Sequence, residues 1–284
     1  IKRKVGFEGS LKAFFDHLRT DPQFKFASKQ ALLDGYDAIR SRVDAAVPKL
    51  FTLTPRSPFE IRPVPEYSER SQAAGYYRPG TPDGSRPGIF FVNTYDLPSR
   101  TTPRMETLFL HEAIPGHHFQ IALAQENESL PNFMRFDGNT AFAEGWALYA
   151  ESLGPELGMF TDPYQAFGSL DDEMLRAIRL VVDTGIHARG WSREQAIRYM
   201  LDNSAQSETD ARAEVERYIA IPGQALAYKV GALTIRRLRT EAEQALERAF
   251  EGQLGTAVVA AMALIRAATG RVIITGMGKS GHVG

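Results

Sequence analysis

The chain has 284 residues, enough for one large domain or two modest ones, and 43% of them are hydrophobic, which is typical of a globular protein. Its 33 Lys and Arg nearly balance its 34 Asp and Glu, so the net charge gives no reason to expect a nucleic-acid partner. The absence of cysteine excludes disulfides and thiol catalysis, and no apolar run reaches the ~18–20 residues of a membrane span.

In chain order, the first hundred residues are predicted to form two helices and a small sheet. Apolar residues recur at helical spacing in two stretches between residues 9 and 49. The region 51–103 is rich in Pro and Gly and contains three β-prone runs, Phe59–Val64, Gly75–Arg78 and Gly88–Thr94. The last run fits either an edge strand, to which an extended peptide could pair, or a buried core strand.

From Thr102 to about Phe250 the pattern is helical. Ser192, followed three residues later by Gln195, predicts a helix N-terminus. The candidate helices are Arg104–Ile114, Ala141–Leu153, Ser169–Ala188, Ser192–Asn203, Glu208–Ile219 and Gly223–Leu246. The sequence therefore predicts a mainly α fold with a small β-sheet, of the α+β class.

The tail from about Leu254 has a different pattern. An alanine-rich helix from Thr256 to Ala268 precedes a short strand, Arg271–Thr275, and a glycine-rich turn. We therefore predict two parts, a helical domain over 1–253 and a separate fragment over 254–284.

Three of the six histidines fall within eight residues, His111, His117 and His118, and Glu112 directly follows the first. Neutral imidazoles are good zinc ligands, and an adjacent carboxylate can take a proton from metal-bound water. The spacing differs from the HExxH motif, because the residue four positions after His111 is Pro115, which cannot bind a metal.

A bend between the two histidine positions would remove this difficulty. Pro115 interrupts the helical hydrogen bonds, and Gly116 permits unusual backbone angles, so the chain can turn His117 back toward His111. We interpret His111 and His117 as the ligands, with His118 as the alternate or as a partner of a ligand. The competing interpretation is a histidine-rich helix end that caps the last carbonyls.

A catalytic zinc needs a third protein ligand and keeps a position for water. Glu144 is the best candidate, because it lies in an otherwise apolar segment where a buried carboxylate must be paired. Glu151 is seven residues further along, on the same helical face, and could support the ligands. The alternative for Glu144 is a solvated position on the helix surface.

Two further groups could stabilise an oxyanion. His187 ends a stripe that also contains Glu173, Arg176 and Asp183, and such a stripe is as consistent with a solvated salt-bridge face as with a site. Tyr218 and Tyr228 flank the loop IAIPGQALAYK, where a phenol could donate to a polarised carbonyl, although either residue alone is better interpreted as a core aromatic.

Four segments, HEAIPGHHFQ, FAEGWALYAE, RLVVDTGIHARGWSREQAI and YIAIPGQALAYKVG, together resemble the bacterial domain-of-unknown-function 885 family. The resemblance spans about residues 10–250 and implies a mostly helical, gluzincin-like metallopeptidase architecture. It implies one zinc ion held by His111, His117 and Glu144, with Glu112 as the general base, and it places His187 and Tyr228 near the site.

Two features depart from this family. The chain starts at Ile1 inside the long helical region with which such proteins begin, and it lacks their C-terminal end, so we expect it to be truncated at both ends. Its last thirty residues, including GRVIITGMGKSGHVG, instead resemble the opening of a sugar isomerase domain of the arabinose 5-phosphate isomerase kind. Lys279-Ser280 also resembles a P-loop, but Ile273 occupies the position of its first glycine.

The sequence thus predicts a bacterial zinc hydrolase, a metallopeptidase acting on peptides or another small amide. The alternatives are a non-catalytic metal-binding or ligand-binding helical protein, an inactive truncated peptidase, and sugar-phosphate isomerisation through the tail. Compartment, cytoplasmic or exported, and oligomeric state do not follow from the sequence.

Overall fold

Ten α-helices and three strands are found in the computed structural model, which describes residues 1–251 apart from 205 and 207, together with 255, 256, 259, 260 and 263. The helices are α1 (Leu11–Thr20), α2 (Lys29–Ala46), α3 (Met105–Glu112), α4 (His117–Glu126), α5 (Asn132–Phe136), α6 (Thr140–Glu151), α7 (Pro163–Arg189), α8 (Arg193–Asn203), α9 (Glu208–Ala220) and α10 (Gln224–Glu251). The strands are β1 (Phe59–Pro63), β2 (Gly75–Arg78) and β3 (Gly88–Val92). The predicted α+β class is confirmed.

The chain divides into two units by its contacts, Ile1–Ile235 and Arg236–Gly284. The first unit contains the sheet, α1 to α9 and the first three turns of α10. The second contains the rest of α10. Exposed ion pairs between residues four positions apart, such as Arg237 with Glu241, stabilise this part of the helix. The predicted strand Arg271–Thr275 and the glycine-rich turn around Lys279-Ser280 lie outside the described residues.

The sheet has the order β1-β3-β2, with β1 parallel and β2 antiparallel to β3. Alternate residues of β3 face opposite sides, so Phe90 joins the main core whereas Phe91 packs with Ile89 and Val64 on the other face. The prediction that an extended peptide could add to the run Gly88–Thr94 is wrong, because both edges of β3 are already paired. The alternative prediction, a buried strand, is confirmed.

Two cores organise the helices of the first unit. The main core joins the inner face of the sheet to α2, α3, α4 and α6, with Phe109 and Leu110 of α3 fully buried at its centre. The second core forms where α7, α8 and α9 meet, around Val182, Met200 and Val215. Since α3 contacts both α6 and α7, it lies at the junction of the two cores.

Local capping signals set the start of two helices, one of which was predicted. Ser192 accepts a hydrogen bond at 3.1 Å from the backbone N–H of Gln195 and begins α8, which confirms the capping prediction. Asn139 does the same for Phe142 at 3.0 Å and begins α6. Within the described residues, no helix is both long enough and apolar enough to cross a bilayer.

Candidate metal centre

A sharp bend separates the two histidine-bearing helices. Helix α3 ends at Glu112 and α4 begins at His117, and the backbone between them leaves the helical region at Ala113 and Gly116. A Cβ at Gly116 would lie 1.9 Å from the backbone oxygen of His111, so only glycine allows this close approach. Trp146 of α6 donates a 2.7 Å hydrogen bond from its indole N–H to the carbonyl of Pro115 and fastens the bend to α6.

The bend brings His111 and His117 together with Glu144 of α6. Glu144 Oε2 lies 3.4 Å from His111 Nε2 and 3.3 Å from His117 Nε2. All three atoms lie within 4.8 Å of one another, and the three residues form a group that could hold a metal ion. His111 is buried and the other two side chains are half-buried, so the group is shielded on one side and open on the other.

The donor chemistry, and the distance of each imidazole from Glu144, fit a divalent metal such as zinc. Two imidazole nitrogens and one carboxylate oxygen are a known catalytic zinc set, and bonds of ~2.0–2.1 Å in a tetrahedron place neighbouring ligand atoms ~3.3 Å apart. Both distances to Glu144 Oε2 match this value. That oxygen is also buried and has no hydrogen-bond partner in the described part of the chain, a costly state that a cation would relieve.

The carboxylate of Glu151 contacts the His111 ring nitrogen that faces away from Glu144. Glu151 Oε1 lies 2.7 Å from His111 Nδ1, and Glu151 Oε2 accepts a 2.6 Å hydrogen bond from the hydroxyl of Thr107. Arg176 of α7 approaches the same carboxylate at 3.7 Å. A carboxylate bound to one imidazole nitrogen fixes the tautomer in which the other nitrogen, here His111 Nε2, is free to bind a metal.

The pKa values of His111 and Glu144 are shifted in opposite directions by their mutual attraction. Burial alone would lower the pKa of His111, but the attraction of the nearby Glu144 and Glu151 carboxylates outweighs burial and raises that pKa well above its usual value. Burial alone would raise the pKa of Glu144, but the two imidazoles outweigh it and hold that pKa well below its usual value. Glu144 is therefore an anion at neutral pH and can serve as a ligand.

Glu112 is a buried carboxylate at the end of α3, next in sequence to His111. It is the last residue of α3, is 8% exposed, and its carboxylate makes no hydrogen bond or ion pair with any described residue. Burial raises the pKa of Glu112, although the charges of His111 and His117 oppose this shift. A buried carboxylate without partners is a stronger base than a solvated one.

His118 points away from the group. Its Nδ1 lies 2.9 Å from the hydroxyl of Tyr77 on β2, and its ring packs at 4.7 Å against Phe59 of β1. Burial, with the nearby charge of Arg40, lowers the pKa of His118 to about 4, so this imidazole is neutral at pH 7. His118 thus connects α4 to the sheet, and His117 is the imidazole that meets His111.

Tyr228 of α10 lies beside the group, with its ring stacked on that of His111 at a centroid distance of 6.1 Å. His187 of α7 is placed differently, because its Nε2 lies 2.9 Å from the backbone oxygen of Tyr218. Tyr218 is fully buried, and its hydroxyl donates a 2.5 Å hydrogen bond to Glu214. In the described structure, neither His187 nor Tyr218 contacts His111, His117 or Glu144.

An open cavity of about 540 Å³ adjoins this arrangement. Its walls are the start of α6, the loop between α9 and α10, and the first turns of α10. Gln224 lines the cavity and also reaches Glu144 Oε1 at 3.5 Å, so the cavity and the metal group share a wall. Exposed Ile221 and Val230 make this wall largely apolar, as ligand pockets usually are.

The sequence matches the family described as "Bacterial protein of unknown function (DUF885)" over residues 1–253. The chain belongs to the DUF885 family. This confirms the family resemblance stated from the four motifs, whereas the family description itself assigns no activity. The comparison with curated proteins finds no match.

Two solved structures are similar to this DUF885 chain. A "putative lipoprotein" from Colwellia psychrerythraea is 39% identical, has a TM-score of 0.82, and aligns over 86% of this chain and 43% of its own. A second structure is described as "a putative lipoprotein of unknown function" from Shewanella oneidensis. It is 26% identical, has a TM-score of 0.63, and aligns over 82% of this chain and 43% of its own. This chain thus spans less than half the length of either relative.

Several residues around His111, His117 and Glu144 were not singled out from the sequence. Thr107 supports Glu151, Gln224 contacts Glu144, and Arg217 contacts Gln224. The sequence contains a signal only for Gln224, which lies in the IPGQALAY segment of the family motif. Of the stripe on α7, Asp183 binds the backbone N–H of Gly223 at 3.0 Å and Glu173 pairs with Lys229, so these two residues hold α10 to α7.

Proposed function

We propose that this DUF885 chain is a zinc-dependent hydrolase that cleaves peptide bonds. The convergence of His111 Nε2, His117 Nε2 and Glu144 Oε2, with Glu112 buried beside them, is the observation that carries the proposal. Three ligands leave a position for water and substrate, whereas a structural zinc is normally closed by four protein ligands. A base with no structural partner favours catalysis over storage or scaffolding.

Each polar residue of the site has one task in this proposal. His111, His117 and Glu144 would hold the metal, which when bound supplies a Lewis acid that activates water and polarises a carbonyl. Glu151 and Thr107 keep the His111 ring oriented through its Nδ1. Tyr228 donates its hydroxyl hydrogen to the carbonyl oxygen as negative charge develops there.

Glu112 moves the proton. Its carboxylate takes one proton from the attacking water, whose oxygen forms a bond to the carbonyl carbon. The carbon–nitrogen bond then breaks, and Glu112 returns the proton to the leaving amine. The products are a carboxylic acid and an amine, and Glu112 ends each cycle as the carboxylate with which it began.

The resemblance of the four motifs to gluzincin-like metallopeptidases supports a peptide as the substrate. The central position of β3 removes the strand-addition argument for that substrate, so peptide specificity rests on the resemblance. The lipoprotein descriptions of both similar proteins favour the exported alternative over the cytoplasmic one for the compartment.

The test compares Glu112→Gln with the unchanged chain. We expect one zinc per chain in both by metal analysis. Loss of the base should lower kcat ~10²–10⁴-fold on a mixture of defined peptides followed by mass spectrometry. Glu128→Gln, an exposed carboxylate on the loop after α4, is the control and should leave turnover unchanged. Equal turnover in Glu112→Gln, or no bound metal in the unchanged chain, would contradict the proposal.

A further inference from the structure

We infer that Arg217 and Gln224 are positioning residues that fix the hydroxyl of Tyr228 beside the metal group, with its hydrogen free for the substrate. The inference rests on the proposed hydrolysis and extends it to two residues of α9 and α10. Neither residue touches the reacting atoms. Both act through Tyr228, to which each donates a hydrogen bond, from Arg217 Nη2 at 3.2 Å and from Gln224 Nε2 at 3.3 Å.

The partners of Gln224 fix the orientation of its amide. Arg217 Nη2 lies 2.6 Å from Gln224 Oε1, and a guanidinium can only donate, so this end of the amide must be the oxygen. Glu144 Oε1 lies 3.5 Å from the other end, and a carboxylate can only accept, so that end must be the nitrogen. The amide therefore presents a donor, not an acceptor, to Tyr228.

The two donors determine where the Tyr228 proton points. A phenol oxygen accepts two hydrogen bonds and donates one. Arg217 and Gln224 fill both acceptor positions, and among the described residues no acceptor takes the hydroxyl hydrogen. The hydroxyl hydrogen of Tyr228 therefore points away from Arg217 and Gln224, where a substrate oxygen beside His111 can accept it. A hydroxyl whose oxygen already accepts from a cation is also a stronger donor.

The surroundings keep this arrangement rigid. Glu214 Oε1 lies 3.5 Å from Arg217, while its other oxygen accepts a 2.7 Å hydrogen bond from Arg179. The guanidinium carbons of Arg179 and Arg176 lie 4.7 Å and 5.5 Å from the centre of the Tyr228 ring. The ring is thus held by cations on α7 while its oxygen is held from α9 and α10.

The test measures steady-state peptide hydrolysis by the 284-residue chain carrying Arg217→Met or Gln224→Met. We expect each to lower kcat ~10–100-fold with KM within about twofold and zinc content unchanged, because the lost interaction acts in the transition state. In a Tyr228→Phe background neither substitution should lower kcat further. Arg217→Lys, which restores one donor, should recover part of kcat. Arg212→Met, an exposed arginine of α9 paired with Glu208, is the matched control and should have no effect.

Equal losses of kcat in the Tyr228 and Tyr228→Phe backgrounds would overturn the inference, since the residues would then act independently of the phenol. A second measurement does not require activity. With ¹³Cζ-labelled tyrosine, the Tyr228 signal, identified by its loss in Tyr228→Phe, should shift in Arg217→Met and not in Arg212→Met. An unshifted signal would refute the hydrogen bond. A shifted signal in a chain that hydrolyses no peptide would refute only the proposed hydrolysis.

Discussion

At the scale of single residues, the carboxylate of Glu151 contacts the His111 ring nitrogen that faces away from Glu144. The Glu151 carboxylate accepts a hydrogen bond from the hydroxyl of Thr107 and faces His111 Nδ1. It therefore selects the His111 tautomer that carries its proton on Nδ1 and leaves Nε2 free. Replacing a carboxylate behind a metal-bound histidine typically costs 10–100-fold in metal affinity.

We therefore expect Glu151→Gln to raise the zinc dissociation constant ~10–100-fold, because a neutral amide polarises the imidazole less than a carboxylate does. Competition with a fluorescent zinc chelator measures this constant. Glu66→Gln, at an exposed carboxylate far along the chain, is the control. An unchanged constant in Glu151→Gln would show that His111 does not need this partner.

The sequence predicted which three residues would lie together better than it predicted the residues that contact them, for a physical reason. Adjacent His111 and Glu112 form a local pattern, and Glu144 is conspicuous as a carboxylate in an apolar segment. The position of Glu151 follows from helical periodicity alone. Thr107 carries no such signal, and Gln224 is marked only by its place in a family motif, because the roles of both depend on contacts with residues 44 and 80 positions away.

At the scale of secondary-structure elements, the break between α3 and α4 creates the metal group. A continuous helix would place His111 and His117 six residues apart and ~9 Å along the axis, too far for one ion. The bend instead brings both Nε2 atoms to Glu144, and it depends on Gly116, because a Cβ at this position would collide with the backbone oxygens of His111 and Leu110.

We expect Gly116→Ala to abolish zinc binding, because its methyl group would lie 1.9 Å from one carbonyl oxygen and 2.3 Å from another, and the bend must open to relieve this clash. Isothermal titration with zinc measures the loss, and circular dichroism checks that the helices remain. Gly138→Ala is the matched control, since a Cβ there meets no atom within 4 Å. Normal zinc binding by Gly116→Ala would show that the bend tolerates a side chain.

Local sequence patterns predicted most helices and strands, but they did not predict which strands pair. The three β-prone runs became β1, β2 and β3 with nearly the predicted bounds, because β propensity and turn residues are local. The order β1-β3-β2 is a property of non-local pairing, and an apolar run such as GIFFV fits an edge and a centre equally. Only the structure could therefore distinguish the two predictions for β3.

At the scale of the whole molecule, the candidate residues cluster in one part of a longer family architecture. The proposed ligands, the base and Tyr228 all lie within the unit Ile1–Ile235 and within the match to DUF885. The similar solved proteins are more than twice as long as the aligned segment.

Zinc should stabilise this unit as a whole, because its ligands come from α3, α4 and α6, whose apolar faces form the main core. A ligand that binds only the native state adds ~2.7 kcal/mol to the free energy of unfolding at 100 times its dissociation constant. For a unit of this size that corresponds to a rise in Tm of roughly 5–10 °C. We expect scanning calorimetry to show this rise when zinc is added to chelator-treated protein. Glu144→Gln should lose the rise and Glu66→Gln should keep it. A rise retained by Glu144→Gln would place the zinc elsewhere, because an amide at that position cannot supply the anionic ligand on which the proposed site depends.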